Sequence, residues 1–246
     1  MENKKLGVIG GMGPQATSVF FEKIIENTAA NTDQDHINMV ILNHTALPDR
    51  TKVILEGKKE IFLDAVRDDL KLLELAGVSN IAIPCNTSHY FYEDMQQLTT
   101  VNLIHMVDET VKAVYERFGK DSKVGILATN GTISSGIYRT TCEKYGLELL
   151  EPDDDIQNRA MEIIYQDVKG LKDVSPAKLE ALIHQLVYER QCRCVILACT
   201  ELSCITLSDF YQECSIDAMD VLVQRSIQLS GKSLARQDDR SSAKER

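Results

Sequence analysis

Short apolar runs alternate with longer amphipathic stretches along most of the chain. The runs "KLGVIGG", "INMVILNH" and "NIAIPC" predict three strands in the first third of the sequence. Residues 14–31 and 59–77 carry apolar side chains at helical spacing and predict helices, whereas 45–57 predicts a loop. Strands that alternate with helices in this way predict a parallel sheet flanked by helices.

The same order of patterns recurs in the second half. The run "KVGILATNGT" resembles "KLGVIGGMGP", because each is an apolar strand that leads into a glycine-containing turn. The patterns that follow it predict, in chain order, helix 134–146, strand 147–152, helix 176–191 and strand 192–199. The repetition indicates an internal duplication. We therefore expect an α/β fold of two similar Rossmann-like lobes, related by a pseudo-two-fold axis, with an active site in the cleft between them.

The repeat also suggests where the lobes divide. Residues 1–105 and 208–230 are assigned to the first lobe and 106–207 to the second. The last helix pattern, 217–230, lies beyond the second repeat, so we expect it to pack back on the first lobe. Residues 231–246 are polar and without periodicity, and we expect this tail to be disordered.

Composition narrows the class of protein. The chain has 246 residues, 43% of them hydrophobic, and a net charge of -10. This charge argues against nucleic acid or an anionic membrane surface as a partner. No apolar run approaches the roughly 20 residues of a membrane span, and the first residues carry no signal-peptide pattern. The seven cysteines lack the spacing of a disulfide framework, so we expect reduced thiols in a cytoplasmic protein.

Two predicted strands end at a cysteine followed by small polar residues, "IAIPCNTSH" at Cys85 and "VILACTELS" at Cys199. Ligands of open parallel sheets bind beyond the carboxyl ends of the strands. Each cysteine precedes a predicted helix start, which lowers a thiol pKa, so a thiolate is expected to be accessible at either position. A single cysteine of this kind is more often a buried core residue. A pair of cysteines at equivalent positions of a duplicated fold instead favours a catalytic role for both.

The segments "PCNTSH", "LACTEL", "GVIGGMGP" and "ATNGTISSGIY" resemble the aspartate/glutamate racemase superfamily, from about Lys5 to about Gln228. The nearest branch is that of the aspartate racemases and the related broad-specificity amino-acid racemases. Glutamate racemases usually carry Cys-Thr-His at the second cysteine, whereas this chain has Cys199-Thr200-Glu201.

The resemblance implies an amino-acid racemase that needs no pyridoxal phosphate or other cofactor. One cysteine thiolate removes the α-proton from one face of the substrate, and the other thiol protonates the opposite face. Cys85 would deprotonate one enantiomer and Cys199 the other. The substrate would be aspartate, with glutamate or other amino acids included, and the family commonly forms homodimers.

The family pattern also implies substrate contacts. The residues that match it, or that directly follow the two sulfurs, are Arg50, Asn86, Thr87, Thr129, Thr132, Lys169 and Thr200, and Met12 of the first glycine turn is expected to line the pocket. Asn86, Thr87 and Thr200 would donate to the α-carboxylate, whereas Thr129 and Thr132 would be further substrate contacts. Arg50 or Lys169 would bind a side-chain carboxylate. The alternatives are ordinary turn and cap residues for the threonines and Met12, and solvated charges for the two cations.

Other functions stay open at this point. The superfamily scaffold also serves hydantoin racemases, maleate isomerases and arylmalonate decarboxylases, although the last typically need one cysteine. A non-catalytic amino-acid-binding protein would tolerate the loss of either thiol. Cysteine–histidine hydrolysis would require His89 or His105 to reach a sulfur.

Two further motifs are weaker. "GMGPQA" satisfies the dinucleotide fingerprint, but Pro14 removes a backbone donor and no acidic residue ends the second strand. The clustered cysteines Cys192, Cys194, Cys199, Cys204 and Cys214 lack the paired knuckles of structural zinc, so no metal site is expected.

Overall fold

The computed structural model describes residues 4–172 and 174–235. Each half of the chain builds a four-stranded parallel sheet in which the first strand of the half lies between its second and third strands. The first sheet has the order β2-β1-β3-β4, with β1 Leu6–Gly10, β2 Met39–Asn43, β3 Asn80–Ala82 and β4 Asn102–Leu103. The second has the order β6-β5-β7-β8, with β5 Lys123–Ala128, β6 Glu148–Leu150, β7 Cys194–Ala198 and β8 Ser215–Asp217. The predicted two-lobe α/β fold is confirmed.

Helices cover both faces of each sheet. In the first half they are α1 Pro14–Asn27, α2 Arg50–Leu55, α3 Lys59–Leu75, α4 Tyr92–Gln96 and α5 Met106–Phe118. In the second half they are α6 Asn130–Ser135, α7 Ile137–Tyr145, α8 Asp154–Met161, α9 Pro176–His184, α10 Asp209–Glu213 and α11 Ala218–Leu229. Helices α8 and α9 continue in wider π-helical turns, Glu162–Val168 and Gln185–Glu189.

The central strands are fully buried, as expected for a sheet covered on both sides. One core lies between the first sheet and α3, and another packs α1 and α11 on the opposite face of that sheet. The second sheet has a corresponding pair of cores. Burial on both faces explains why β1, β5 and β7 are continuous apolar runs in the sequence.

Residues 45–57, predicted as a loop, contain the short helix α2. The Asp49 side chain accepts a hydrogen bond from the Lys52 backbone N–H at 2.8 Å and caps this helix. The predicted helix 134–146 is instead two helices, because Gly136 has a φ of +67° between α6 and α7. The edge strands β4 and β8 are only two and three residues long and left no periodic pattern to detect.

The end of the chain is shared between the lobes. Strand β8 pairs with β7, so the second sheet takes its edge strand from the range 208–230 that the sequence assigned to the first lobe. Helix α11 packs on the first sheet together with α1. Residues 231–235 are ordered against the end of α1, where the Ala29 N–H donates to the Ser233 carbonyl at 2.9 Å. The remainder of the predicted disordered tail, 236–246, lies outside the described residues.

Within residues 4–172 and 174–235, none of the helices is both long enough and apolar enough to cross a membrane.

Candidate active site

A cleft lies at the carboxyl ends of the two sheets and is lined by residues of both lobes. The cleft is narrow, with a cavity volume of about 10 Å³ between its side chains. Its lining residues are Asp49, Arg50, Thr51, Cys85, Asn86, Thr87, Thr129, Tyr165, Lys169, Cys199, Thr200 and Glu201. The structure therefore brings both strand-end cysteines to one cleft.

Cys85 and Cys199 reach the cleft by equivalent routes. Each follows the third strand of its sheet, β3 or β7, and each is 5% exposed. The Thr200 hydroxyl donates to the Pro84 carbonyl at 3.2 Å, so the segments that carry the two sulfurs contact each other directly. The duplication thus produces two thiols in matching backbone positions of one site.

The backbone after each cysteine is not an α-helix, as the sequence suggested, but a short 3₁₀ segment, Thr87–Phe91 or Leu202–Cys204. Burial, the Glu201 charge and a hydrogen bond to Glu201 together raise the pKa of the Cys199 thiol well above its ordinary value, and Lys169 opposes them. These surroundings disfavour a Cys199 thiolate in the resting protein, contrary to the expectation from a helix start. Desolvation and a neighbouring carboxylate outweigh the short helical turn.

The thiol of Cys199 donates a hydrogen bond to Glu201, with 2.9 Å between Sγ and Oε2. The second carboxylate oxygen, Oε1, lies 3.6 Å from the Lys169 ammonium. Lys169 also lies 4.5 Å above the ring of Tyr165, one helical turn earlier. Burial alone would lower the pKa of Lys169, but the negative groups around it, Glu201 foremost, raise it. Lys169 is therefore a charged ammonium in the cleft.

Arg50 is a buried cation, 8% exposed, at the first position of α2. Its guanidinium donates to three backbone carbonyls, those of Pro48 at 2.9 Å, Leu47 at 3.4 Å and Met12 at 3.5 Å. Its Nε is buried without a hydrogen-bond partner. In the part of the chain that the structure describes, no carboxylate neutralises this guanidinium, so the cleft has a cation available for an anionic ligand.

Asn86 offers a second unsatisfied donor. The Tyr138 hydroxyl donates to its Oδ1 at 2.5 Å, and its Nδ2 is buried without a partner. A buried amide N–H without an acceptor costs folding free energy, so this group is suited to donate a hydrogen bond to a ligand.

Three threonine hydroxyls join the lobes beside the cysteines. Thr87 of the first lobe lies 3.0 Å from Thr129 and 2.9 Å from Thr132 of the second, measured between Oγ1 atoms. Thr129 also caps α6 by accepting from the Thr132 N–H. Thr87 and Thr129 line the cleft, whereas Thr132 lies behind them.

Met12 does not line the cleft. It is buried in the first-lobe core, where its sulfur accepts a hydrogen bond from the Ser88 hydroxyl at 3.5 Å and its carbonyl accepts from Arg50. Its contribution to the site is to hold Arg50.

Neither candidate histidine lines the cleft. The ring nitrogens of His89 face the carbonyls of Cys85, at 2.9 Å, and Ile104, at 3.3 Å. His105 caps α5, and burial lowers its pKa to about 4. These contacts give no support to cysteine–histidine hydrolysis. Within the described residues, no three His, Cys, Asp or Glu side chains come together as a metal site would require.

Four lining residues were not predicted from the sequence: Asp49, Thr51, Tyr165 and Glu201. Two of them carried a signal. Glu201 stands two positions after Cys199. Tyr165 stands four positions before Lys169, and this spacing places the Tyr165 and Lys169 side chains on the same side of a helix. The Tyr165 hydroxyl donates to Thr51 at 3.3 Å, a contact between lobes that spacing could not reveal.

Residues 9–225 match the Asp/Glu/hydantoin racemase family model. A broad-specificity amino-acid racemase, RacX of Bacillus subtilis (strain 168), is 31% identical over 209 residues, which cover 81% of this chain and 86% of RacX.

Solved structures agree with this match. The aspartate racemase of Picrophilus torridus superimposes with a TM-score of 0.79 at 29% identity, covering 96% of this chain and 98% of the other. An aspartate racemase homologue from Pyrococcus horikoshii OT3 gives 0.75 at 24% identity, covering 93% and 99%, and shows the same fold. The chain belongs to the Asp/Glu/hydantoin racemase family of isomerases.

Proposed function

We propose that the chain is an amino-acid racemase that interconverts L- and D-aspartate, and related amino acids such as glutamate, without pyridoxal phosphate. The observation that carries the proposal is that Cys85 and Cys199 line one cleft together with a buried, unneutralised arginine. The racemase activities for which RacX and the P. torridus enzyme are named support it.

The reaction needs two protein groups on opposite sides of one carbon. A thiolate removes the α-proton and becomes a thiol, and the electron pair of the broken C–H bond passes into the α-carboxylate. The second thiol then gives its proton to the other face of Cα and becomes the thiolate. The substrate gains and loses one proton, so no oxidant or cofactor is consumed.

The carbanionic intermediate requires positive charge and hydrogen-bond donors at the α-carboxylate. Arg50 and the free Nδ2 of Asn86 supply them from the first lobe. Thr87, Thr129 and Thr200 border the same space and add hydroxyl or backbone donors. Lys169, from the second lobe, is the cation proposed to bind a side-chain carboxylate, which favours aspartate.

The direct test is to incubate the protein with L-aspartate in deuterium oxide. We expect optical activity and the α-proton NMR signal to disappear together, without added cofactor. Glutamate, neutral amino acids, maleate and 5-substituted hydantoins form the comparison panel. Turnover of maleate or hydantoins alone would replace the amino-acid assignment, and turnover of nothing would leave a binding protein.

Cysteine variants test the two-base step. Cys85→Ser and Cys199→Ser should each lose racemisation by several orders of magnitude, because a hydroxyl is a far weaker acid than a thiol. Cys214→Ser, which changes a cysteine outside the cleft, is the matched control and should keep full activity. Full racemisation by either cleft variant would refute the mechanism.

We also propose a homodimer in the cytoplasm, as the family resemblance implies. Sedimentation equilibrium should give twice the mass of one chain, and cell fractionation should recover the protein with cytoplasmic markers. A species of single-chain mass, or recovery in another fraction, would refute the respective proposal.

A further inference from the structure

The duplication that places the two cysteines symmetrically does not surround them symmetrically. Cys85 is followed by the uncharged Asn86 and Thr87, whereas Cys199 has Glu201 two positions later. The Glu201 carboxylate is 3% exposed and accepts the hydrogen bond from the Cys199 thiol at 2.9 Å. Among residues 4–172 and 174–235, a hydrogen bond to a carboxylate is therefore found at the Cys199 thiol and not at the Cys85 thiol.

The carboxylate is held in this position from its other side. Its Oε1 faces the Lys169 ammonium at 3.6 Å and has no hydrogen-bond partner among the described residues. A Cβ atom at Gly13 would lie 3.3 Å from the same oxygen, so the glycine turn after β1 leaves just enough room for it. Glu201 is thus fixed between the thiol and the lysine rather than free to turn away.

We infer that Glu201 is a positioning residue that keeps the proton on Cys199, so that Cys85, rather than Cys199, is the sulfur that first accepts a proton from the substrate. This inference rests on the proposed two-cysteine racemisation. A carboxylate in contact with a thiol opposes the formation of a second negative charge and accepts the thiol proton in a hydrogen bond. Cys85 therefore removes the α-proton in the first half-reaction, and Cys199 supplies the proton to the opposite face.

The half-reactions balance without a further reactant. The Cys85 thiolate becomes a thiol as the Cα–H bond breaks, and the Cys199 thiol becomes a thiolate as the new Cα–H bond forms. The proton now on Cys85 returns to Cys199 after product release. For the other enantiomer, the enzyme reacts from the less populated form with a Cys199 thiolate. Because enantiomers have equal free energy, kcat/KM is equal in both directions at every pH, and the asymmetry appears in the separate kcat and KM values of the two enantiomers.

Other titratable groups also face Cys199. They are Lys169 and Tyr165 from the π-helical turns after α8, Tyr138 from α7, and Cys85 across the cleft. Lys169 is the only one of these groups that carries a positive charge, and it favours the thiolate. The direct anionic contact is with Glu201, so removing its charge should produce the largest change.

The test uses Glu201→Gln, which keeps the size of the side chain and an oxygen that accepts the thiol hydrogen bond but removes the charge. The rate of alkylation of Cys199 by iodoacetamide is measured against pH by peptide mass spectrometry. We expect its midpoint to move about one to three pH units lower than in the parent protein. In Glu201→Asp the alkylation midpoint should lie between those of the parent and Glu201→Gln. Glu60→Gln, on the exposed face of α3, should leave the midpoint unchanged.

The parent protein gives a second measurement that needs no variant. At neutral pH, iodoacetamide should modify Cys85 before Cys199. Modification of Cys199 first, or an unchanged Cys199 midpoint in folded Glu201→Gln, would overturn the inference. In racemisation assays, the basic limb of the kcat/KM profile should move to lower pH in Glu201→Gln. Alkylation does not depend on turnover. If the Cys199 alkylation midpoint moves as expected in Glu201→Gln but the parent protein racemises nothing, the proposed function is refuted and the effect of Glu201 on the Cys199 proton still stands.

Discussion

At the residue scale, the cleft depends on buried polar groups whose hydrogen bonds are incomplete without a ligand. Arg50 is held by backbone carbonyls rather than by a carboxylate, and Asn86 keeps a free amide N–H₂. Such groups cost folding free energy, and a protein retains them where an anion completes their bonding.

Replacing Arg50 with methionine should lower kcat/KM for aspartate about 10- to 100-fold, because a hydrogen bond to a charged group contributes about 1.5–3 kcal/mol. Steady-state racemisation followed by polarimetry measures the loss, and circular dichroism checks the fold. Arg67→Met, on the exposed surface of α3, is the matched control. Equal activity of the two variants would show that Arg50 does not bind substrate.

Tyr138→Phe should destabilise the protein by about 1–3 kcal/mol, because it leaves the buried Oδ1 of Asn86 without its donor. The Asn86 amide is then free to turn, so KM should rise as well. Urea unfolding and racemisation kinetics measure the two effects. The exposed Tyr188→Phe serves as control, and a Tyr138→Phe protein with parental stability would contradict the proposed orientation of Asn86.

At the element scale, Asp217, the residue that caps the N-terminus of α11, joins the two halves of the molecule. The Asp217 side chain accepts from the Met219 N–H and the Ser203 hydroxyl, both at distances of 2.7–2.8 Å, and lies 3.9 Å from the Lys23 ammonium of α1. Burial and the nearby Asp220 raise the pKa of Asp217 to about 6, although Lys23 and the two hydrogen bonds oppose this.

The raised pKa predicts a pH-dependent gain from Asp217→Asn. The folded state favours the protonated acid, so this stabilising contribution is present below about pH 4 and is lost as the pH rises through about 6. Asparagine caps a helix as well as aspartate and carries no charge. Relative to the parent, the variant should gain up to about 3 kcal/mol above pH 6 and little near pH 4. Urea unfolding at both pH values tests this, and a constant difference would contradict it.

At the scale of the whole molecule, the proposed catalysis by two cysteines requires that the lobes keep a fixed separation. The hydroxyls of Thr87, Thr129 and Thr132 join the lobes beside the sulfurs, and Tyr165 contacts Thr51 across the same boundary. The threonine contacts are buried hydrogen bonds, which require a defined geometry and therefore determine the position of the lobes more specifically than apolar packing does.

Thr87→Val keeps the shape of the side chain and removes its hydroxyl. We expect the free energy of unfolding to fall by about 1–2 kcal/mol. The racemisation rate should fall as well, because the two sulfurs are then less precisely positioned relative to each other. Thr87→Ser keeps the hydroxyl and should recover both properties. If serine and valine gave the same activity, the hydroxyl cluster would not position the lobes.

The sequence by itself determined the alternation of strands and helices, the duplication, and the placement of two cysteines at strand ends. These features follow from local periodicity and from the geometry of parallel sheets, which need no knowledge of distant contacts. The same local reasoning missed α2, whose capping by Asp49 stabilises a helix too short for a periodic pattern, and the edge strands β4 and β8.

The tertiary structure decided the electrostatics of the site. Cys199 contacts Glu201 and thereby Lys169, Tyr138 orients Asn86 from 52 positions away, and Arg50 is held by the carbonyl of Met12. Which groups meet in a desolvated cleft depends on contacts between elements that are far apart in the sequence, within each lobe and across the cleft. Local sequence spacing carries no information about those contacts.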